Sequence, residues 1–305
     1  VTVMAFGFTA FYLLDKGLKN LKPAMIYPAA VSAGFSAFTH LNGLSFIFAG
    51  FILLLVRKKY TLAIGFGALA ALTAGLYFFD LTTMAELQSY WQQFSNDPNL
   101  SREDFSMLTP FIKLLGEQQR FLWNLPSMAF TLLLVVSLVG SFRLLREHHF
   151  NLLVFFLALI IGLAGLSHGK TIKYGILYHP YIFLIISISL RNFYNMKPAK
   201  RRILIVALAF FMIVNTVSIG LHISRSQYSM SRINRITAHI DSKDVKLMGH
   251  EFLYFAPEKE FKLTSPLSFQ YLYQKYIRRK PDAEDYMRFA REHGHQYVLH
   301  DMVRD

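Results

Sequence analysis

Cysteine is missing from this 305-residue chain. A disulfide framework, a zinc–thiolate site and a thiol nucleophile are therefore excluded. Charged residues are scarce, at 17% of the chain, and 19 acidic residues stand against 32 lysines and arginines. Hydrophobic residues reach 53%. This composition is unusual for a soluble protein of this length and favours a membrane protein.

Long apolar runs alternate with short polar breaks along the first part of the chain. A bilayer core about 30 Å thick needs roughly 20 apolar residues in a helix. We therefore predict a mainly α-helical bundle of about seven or eight membrane spans over residues 1–222. The full runs cover 24–39, 43–56, 60–79, 125–142, 150–167, 172–190 and 203–222. A partial run covers 1–14 and starts without methionine, so we expect the chain to be the later part of a longer protein.

The basic residues fall in alternate breaks. They are Lys16, Lys19, Lys22, Arg57, Lys58, Lys59, Arg143, Arg146, Arg191, Lys197, Lys200, Arg201 and Arg202. By the positive-inside rule these breaks are cytoplasmic, and the intervening breaks face outward. This topology explains the net charge of +13 better than a nucleic-acid partner does. A multi-pass protein of the bacterial cytoplasmic membrane is the simplest interpretation.

The outward loop 80–124 is too long to be a plain connection. Within it, Phe105–Phe121 carries apolar residues at helical spacing, and we predict one amphipathic helix there. The helix either lies along the membrane interface or packs on top of the bundle. Both alternatives place it over the mouth of a membrane-embedded site. The apolar positions are Leu108, Phe111, Ile112 and Leu115.

Residues 223–305 are polar and mixed, and we predict that they form a small extracytoplasmic α/β domain. Helices are expected at Ser231–Ile240 and Pro281–His293. The second helix has typical capping residues, with Asp282 near its start and Gly294 after its end. Strands are expected at Val245–Gly249 and Gln296–His300.

The first polar break with functional potential is Thr39-His40-Leu41-Asn42-Gly43. We expect Gly43 to take the unusual backbone angles of a tight turn. Histidine and asparagine at this membrane depth are often functional, and the alternative is that they satisfy backbone groups at helix ends. His40 and Asn42 are therefore candidate binding residues.

The second break runs from Ser167 to Tyr174 and carries two outward lysines, against the inside-positive pattern. Their spacing places Lys170 and Lys173 on one helix face, where they suit phosphate recognition. Ordinary anchoring to lipid headgroups is the alternative. The supporting candidates are His168, Tyr174, Tyr178 and His179.

Carboxylates and metal ligands give weaker signals. Asp80 and Glu86 are the in-chain candidates for a general base, although a carboxylate at a helix end is more often solvated. His293, His295 and His300 do not form a convergent ligand set, so we predict no metal site there. No cofactor is predicted, and a divalent metal requirement stays open.

Three segments resemble bacterial GT-C glycosyltransferases, the membrane enzymes that use polyprenyl-phosphate sugars and are related to protein mannosyltransferases and the aminoarabinose transferase of lipid A. The first is Thr39-His40-Leu41-Asn42-Gly43-Leu44 with the following helix that stops at Arg57-Lys58-Lys59. The second is the loop from Lys170 to Tyr174 before Tyr178-His179-Pro180. The third, Asp244 to Phe255, is similar to the start of the family's small tail domain.

The resemblance implies inverting transfer of a sugar from a polyprenyl phosphate to a lipid, glycan or protein acceptor on the extracytoplasmic face. The family's catalytic carboxylate lies in a first outward loop, which nothing in residues 1–305 matches, so we expect it upstream. Lys170 and Lys173 would stabilise the leaving phosphate. The residues implied in substrate or lipid-phosphate binding are Lys170, Lys173, Tyr174, His168, His40, Asn42, Tyr178 and His179.

Two other function classes fit the same hydropathy. A polysaccharide polymerase or ligase would normally carry an arginine-rich outward loop, whereas 80–124 is mildly acidic. A transporter of lipid-linked substrates would be expected to carry charges or broken helices at mid-membrane, and the runs here are nearly free of charge at their centres.

Overall fold

The structure is a computed structural model of the whole chain. It describes residues 2–79, 83–88, 109–166, 172–225, 245–248, 261–264 and 281–298, with positions 238, 269, 270, 273 and 277. Contacts divide the chain into two compact units, 1–218 and 219–305, and each is treated by itself below.

The first unit is built from helices joined by short 3₁₀ turns. Besides a short helical segment at 84–88, the helices are α1 (Thr2–Lys19), α2 (Ile26–Thr39), α3 (Leu44–Val56), α4 (Tyr60–Gly75), α5 (Thr109–Gly116), α6 (Gln118–Leu122), α7 (Leu125–His148), α8 (Phe150–Leu166), α9 (His179–Arg191) and α10 (Pro198–Arg225), which continues past residue 218. The turns cover Pro23–Met25, Leu41–Gly43, Leu76–Phe78, Ile172–Tyr178 and Phe193–Asn195.

The predicted helical character is confirmed, and within the residues that the structure describes three helices are long and apolar enough to cross a membrane. These are Tyr60–Phe78, Leu125–His148 and Pro198–Ile223. The other apolar helices are shorter, so the count of seven or eight spans stays a prediction. The run at 172–190 differs from expectation, because Ile172–Tyr178 is a 3₁₀ turn and α9 begins only at His179. Pro180 explains this boundary, since proline suits the first turn of a helix.

Close packing in the first unit depends on small residues. Helix α2 packs against both α1 and α4. A Cβ atom on Gly34 of α2 would collide with Thr73 of α4, so glycine permits this approach. On the other side, the hydroxyls of Ser32 and Ser36 donate to the carbonyl oxygens of Phe6 and Val3, each at 2.8 Å.

A polar network ties three helices together at the end of the unit that carries the basic clusters. Asn151 is buried at the start of α8. Its side-chain oxygen accepts from Arg57 Nε at 2.6 Å, and its amide nitrogen donates to Asp15 Oδ1 at 2.8 Å. Lys19 pairs with the same aspartate at 2.8 Å. The ends of α1, α3 and α8 are thereby fixed to one another.

The second unit contains a parallel three-stranded sheet of order β2-β1-β3. The strands are β1 (Val245–Met248), β2 (Phe261–Thr264) and β3 (Tyr297–Val298). In register, Val245 lies opposite Phe261, and Leu247 lies opposite Tyr297. Strands β1 and β3 occupy the predicted positions, whereas β2 was not predicted.

The predicted helix near the C-terminus is confirmed as α11 (Ala283–Glu292). Asp282 caps it, because its side chain accepts from the backbone N–H of Asp285 at 2.9 Å and Asp285 reciprocates at 3.1 Å. Gly294 follows the helix with a φ of 68°, which favours glycine. The helix predicted at Ser231–Ile240 lies outside the described residues except for position 238.

Candidate functional site

An apolar groove of about 670 Å³ lies between α3, α5 and α8 in the first unit. Its described lining is entirely apolar side chains and glycine. The lining residues are Leu44, Ile47, Phe48, Phe51, Phe111, Leu114, Ile161, Gly162, Ala164, Gly165 and Leu166. The volume falls in the range of small-molecule sites, but the missing polar lining distinguishes it from sites for water-soluble metabolites. Its chemistry matches a hydrocarbon chain.

Two glycines of α8 shape this groove in opposite ways. A Cβ atom on Gly162 would lie 2.9 Å from Phe48 and 3.4 Å from the Cα of Ser45, so this glycine lets α8 approach α3 closely. For Gly165, no described atom lies within 4 Å of such a Cβ. One glycine therefore joins the walls of the groove, and the other leaves space open between them.

Helix α5 forms one side of the groove. Phe111 and Leu114 line it, and α5 packs against α8. The helix predicted over Phe105–Phe121 is confirmed for most of the described residues, but as two helices, because α5 ends at Gly116 and α6 begins at Gln118. The break occurs at Glu117, whose side chain turns inward and is buried. Residues 105–108 lie outside the described residues.

The Leu41–Gly43 turn, which His40 precedes, lies at one end of the same groove, since the lining residue Leu44 directly follows it. His40 has an extended backbone and is exposed. Its Nδ1 accepts from the backbone N–H of Asn42 at 3.1 Å, and the Asn42 carbonyl accepts from Ser45 Oγ at 2.6 Å. Asn42 itself is buried. His40 therefore caps the turn, as the alternative for this break anticipated.

Gly43 does not take the unusual backbone angles that we expected of it. Its φ is −63°, an ordinary helical value. Glycine is required there because a Cβ atom would collide with the backbone of Ser36 in α2. The turn between α2 and α3 is tight because their backbones touch, not because the chain takes a left-handed conformation.

Beside the groove, a buried ion pair joins the α5–α6 segment to the start of α9. Arg120 Nη1 donates to both carboxylate oxygens of Glu117 at 2.6 Å. The hydroxyl of Tyr178 donates to Glu117 Oε2 at 2.8 Å. The three residues are 6%, 5% and 1% exposed, respectively.

Aromatic packing reinforces this contact. The Tyr178 ring stacks on Phe121 of α6, with centroids 5.4 Å apart and planes 5° apart. The Phe121 carbonyl in turn accepts from Thr131 Oγ1 of α7 at 2.7 Å. Tyr178 closes the turn that begins at Ile172, so the contact fixes the end of the segment that contains Lys173.

The predicted binding residues are distributed as follows. His168 and Lys170 lie outside the described residues. Lys173 and Tyr174 lie in the 3₁₀ turn Ile172–Tyr178. His179 is exposed and packs edge-on against Phe130 of α7, with centroids 5.2 Å apart. Tyr178 faces the buried ion pair.

Of the two candidate general bases, the structure describes only Glu86. Asp80 lies outside the described residues. Glu86 accepts from the backbone N–H of Thr83 at 3.0 Å, and its own N–H donates to Thr83 Oγ1 at 3.2 Å, which is a capping box. Across the described ranges, no three histidine, aspartate or glutamate residues lie close enough to hold a metal ion.

Glu117 and Arg120 are the site residues that the sequence did not single out. In an amphipathic interpretation they belong to a solvated polar face. Their spacing of three residues allows a pair on one helical turn, but only the tertiary structure reveals that the pair is buried.

Comparison with known proteins returns no similarity: no family model, no curated protein and no solved structure matches this chain.

Proposed function

We propose that this chain is part of a membrane glycosyltransferase that moves a sugar from a polyprenyl-phosphate donor to an acceptor on the extracytoplasmic face. The observation that carries the proposal is the apolar groove between α3, α5 and α8. Its purely apolar lining suits the hydrocarbon chain of a lipid donor. A soluble nucleotide sugar would need polar groups that the groove does not offer.

The position of the groove suits a lipid with a phosphate head. Its lining ends at Gly165 and Leu166, and the next residues in sequence are Ser167, His168, Gly169 and Lys170. A chain in the groove would therefore bring its phosphate towards the segment that carries Lys170 and Lys173. Lysine ammonium groups stabilise the negative charge that grows on a leaving phosphate.

The remaining parts have roles consistent with this reaction. The acceptor hydroxyl or amine needs a general base. His40 and Asn42 would border the sugar or phosphate end of the donor. Seven or eight spans with basic loops in the cytoplasm would put the groove's α5 end outside the cell. Residues 223–305 would form an outward α/β domain that helps to choose the acceptor.

Removal of the two lysines tests the proposal. Lys170→Ala, Lys173→Ala and their combination would be made in the natural full-length protein reconstituted in nanodiscs, with Lys22→Ala as the control. Lys22 is an exposed lysine in a predicted cytoplasmic break. The substrate is a set of undecaprenyl-phosphate sugars labelled in the sugar. We expect label transfer to fall about a hundredfold in the double variant, as for the loss of transition-state charge stabilisation, and to stay unchanged in Lys22→Ala.

Each outcome has a definite meaning. Unchanged transfer in the double lysine variant removes the phosphate role of these residues. Binding of undecaprenyl phosphate by the wild type without any sugar transfer favours a transporter of lipid-linked substrates. If the wild type shows neither binding nor transfer, the proposed function is refuted.

A further inference from the structure

The buried cluster of Glu117, Arg120 and Tyr178 is unlike an ordinary surface ion pair. The attraction between exposed charges is screened by water and salt, so exposed ion pairs contribute little to stability. Here both charges are almost fully buried, and the phenol hydroxyl gives the carboxylate a third hydrogen bond. Removal of one partner from such a group leaves an uncompensated buried charge. The segment around Glu117 is therefore strongly held in this one position.

The cluster joins parts of the chain that are far apart in sequence. Glu117 lies between α5 and α6, and Arg120 belongs to α6. Tyr178 lies 61 residues after Glu117, at the end of the turn before α9. On one side of this contact, α5 supplies Phe111 and Leu114 to the groove. On the other side is the turn Ile172–Tyr178, which contains Lys173.

Helix α5 itself is weakly held elsewhere. It has only eight residues, and Ile112 and Leu115 are exposed at 58% and 71%. An isolated helix of this length is not stable in water. Its position therefore depends on packing against α8 and on the anchor at its C-terminal end, where Glu117 follows Gly116 directly.

We propose that Glu117, Arg120 and Tyr178 are positioning residues that hold α5 against the groove and so set how long a lipid chain stays bound. The anchoring is independent of the proposed glycosyl transfer, whereas the effect on lipid residence rests on it. The cluster acts through α5 and the 172–178 turn, and it meets α5 where the backbone N–H of Glu117 donates to the carbonyl oxygen of Leu114, a groove-lining residue, at 3.1 Å.

The chain offers a matched pair of tyrosines for the test. Tyr178→Phe keeps the ring that stacks on Phe121 and removes only the hydroxyl bonded to Glu117. Tyr181→Phe makes the same chemical change one turn later. Its hydroxyl is also buried, but it donates to the Gly7 carbonyl of α1 at 3.2 Å and does not touch α6. A general effect of a lost buried hydroxyl appears in both variants.

The first readout is amide hydrogen exchange in residues 109–122 of the protein in nanodiscs without lipid substrate. We expect exchange at least about fivefold faster in Tyr178→Phe, because a charge-assisted hydrogen bond is lost. In Tyr181→Phe this segment should exchange as in the wild type. Equal exchange in all three proteins, or equal acceleration in both variants, overturns the anchor.

The second readout is the dissociation rate of undecaprenyl phosphate. We expect it to rise about tenfold in Tyr178→Phe and to be unchanged in Tyr181→Phe. Faster exchange with an unchanged dissociation rate refutes the control of lipid residence. If undecaprenyl phosphate does not bind the wild type, the proposed function fails, and the exchange data alone decide the anchor.

Discussion

The substitution Gly165→Leu is the most direct probe of the apolar groove. Gly165 lines the groove, and no described atom lies within 4 Å of a Cβ placed there, so the new side chain starts from open space. Its four carbons would occupy part of the 670 Å³ and displace about four methylenes of a bound chain. We expect weaker binding of undecaprenyl phosphate with an unchanged fold.

The expected size of this effect depends on where the displaced carbons go. In water, about four methylenes at about 0.8 kcal/mol each would amount to about 3 kcal/mol. A lipid chain, however, returns to the hydrocarbon of the bilayer, so there is no hydrophobic term to lose. Only better packing in the groove is lost, at about 0.1–0.2 kcal/mol per atom pair. About ten lost atom pairs would amount to about 1.4 kcal/mol, which corresponds to a roughly tenfold rise in Kd.

A second glycine provides the control for this measurement. Gly65 lies in the middle of α4, away from the groove, and again no atom of the described structure lies within 4 Å of an added Cβ. Both Gly65→Leu and Gly165→Leu replace glycine by a better helix former, which is worth about 0.8 kcal/mol in a helix interior. Equilibrium binding of radiolabelled undecaprenyl phosphate would be measured in nanodiscs. Identical Kd values for Gly65→Leu and Gly165→Leu would refute the groove as the binding site.

Two further predictions concern stability. Gly43→Ala should cost about 1–3 kcal/mol, because its methyl group collides with the Ser36 backbone; thermal unfolding in detergent would measure this, and an unchanged midpoint would contradict it. Burial, and secondarily Lys19, lowers the pKa of His149 from 6.5. The folded state therefore prefers neutral imidazole, so stability present above about pH 6.5 is lost as pH falls towards the folded pKa. His149→Gln should flatten that slope in unfolding midpoints measured from pH 7.5 to 5, and an unchanged slope would assign it to other groups.

Local sequence signals predicted most of the helical structure. The apolar runs coincide with helices because hydropathy and breaks are properties of neighbouring residues. The capping pattern of Asp282 and Gly294 fixed α11 for the same reason. Strand β2 was missed because its pairing with β1 is a contact between distant residues, which a run of four residues does not encode.

The site was less accessible from sequence. The Leu41–Gly43 break was found, but the reason for Gly43 was wrong, since a close approach of two backbones leaves no local pattern. Gly162 and Gly165 look alike in sequence, yet one packs against Phe48 and the other faces open space. Glu117 was not singled out, because its burial depends on the contact with Tyr178, which lies 61 residues away in the sequence.

The groove and the lysine segment would contribute different kinds of selectivity to one site. Every lipid of the bilayer offers hydrocarbon, and a chain gains no hydrophobic free energy on moving from bilayer to groove. The groove can therefore discriminate only by chain shape and by the time for which α5 retains the chain. Preference for a phosphate head must come from charge, which the groove lining lacks. Lys170 and Lys173 are the cations nearest in sequence to its Leu166 end, so under the proposed function selection of the donor would require both parts to act on one molecule.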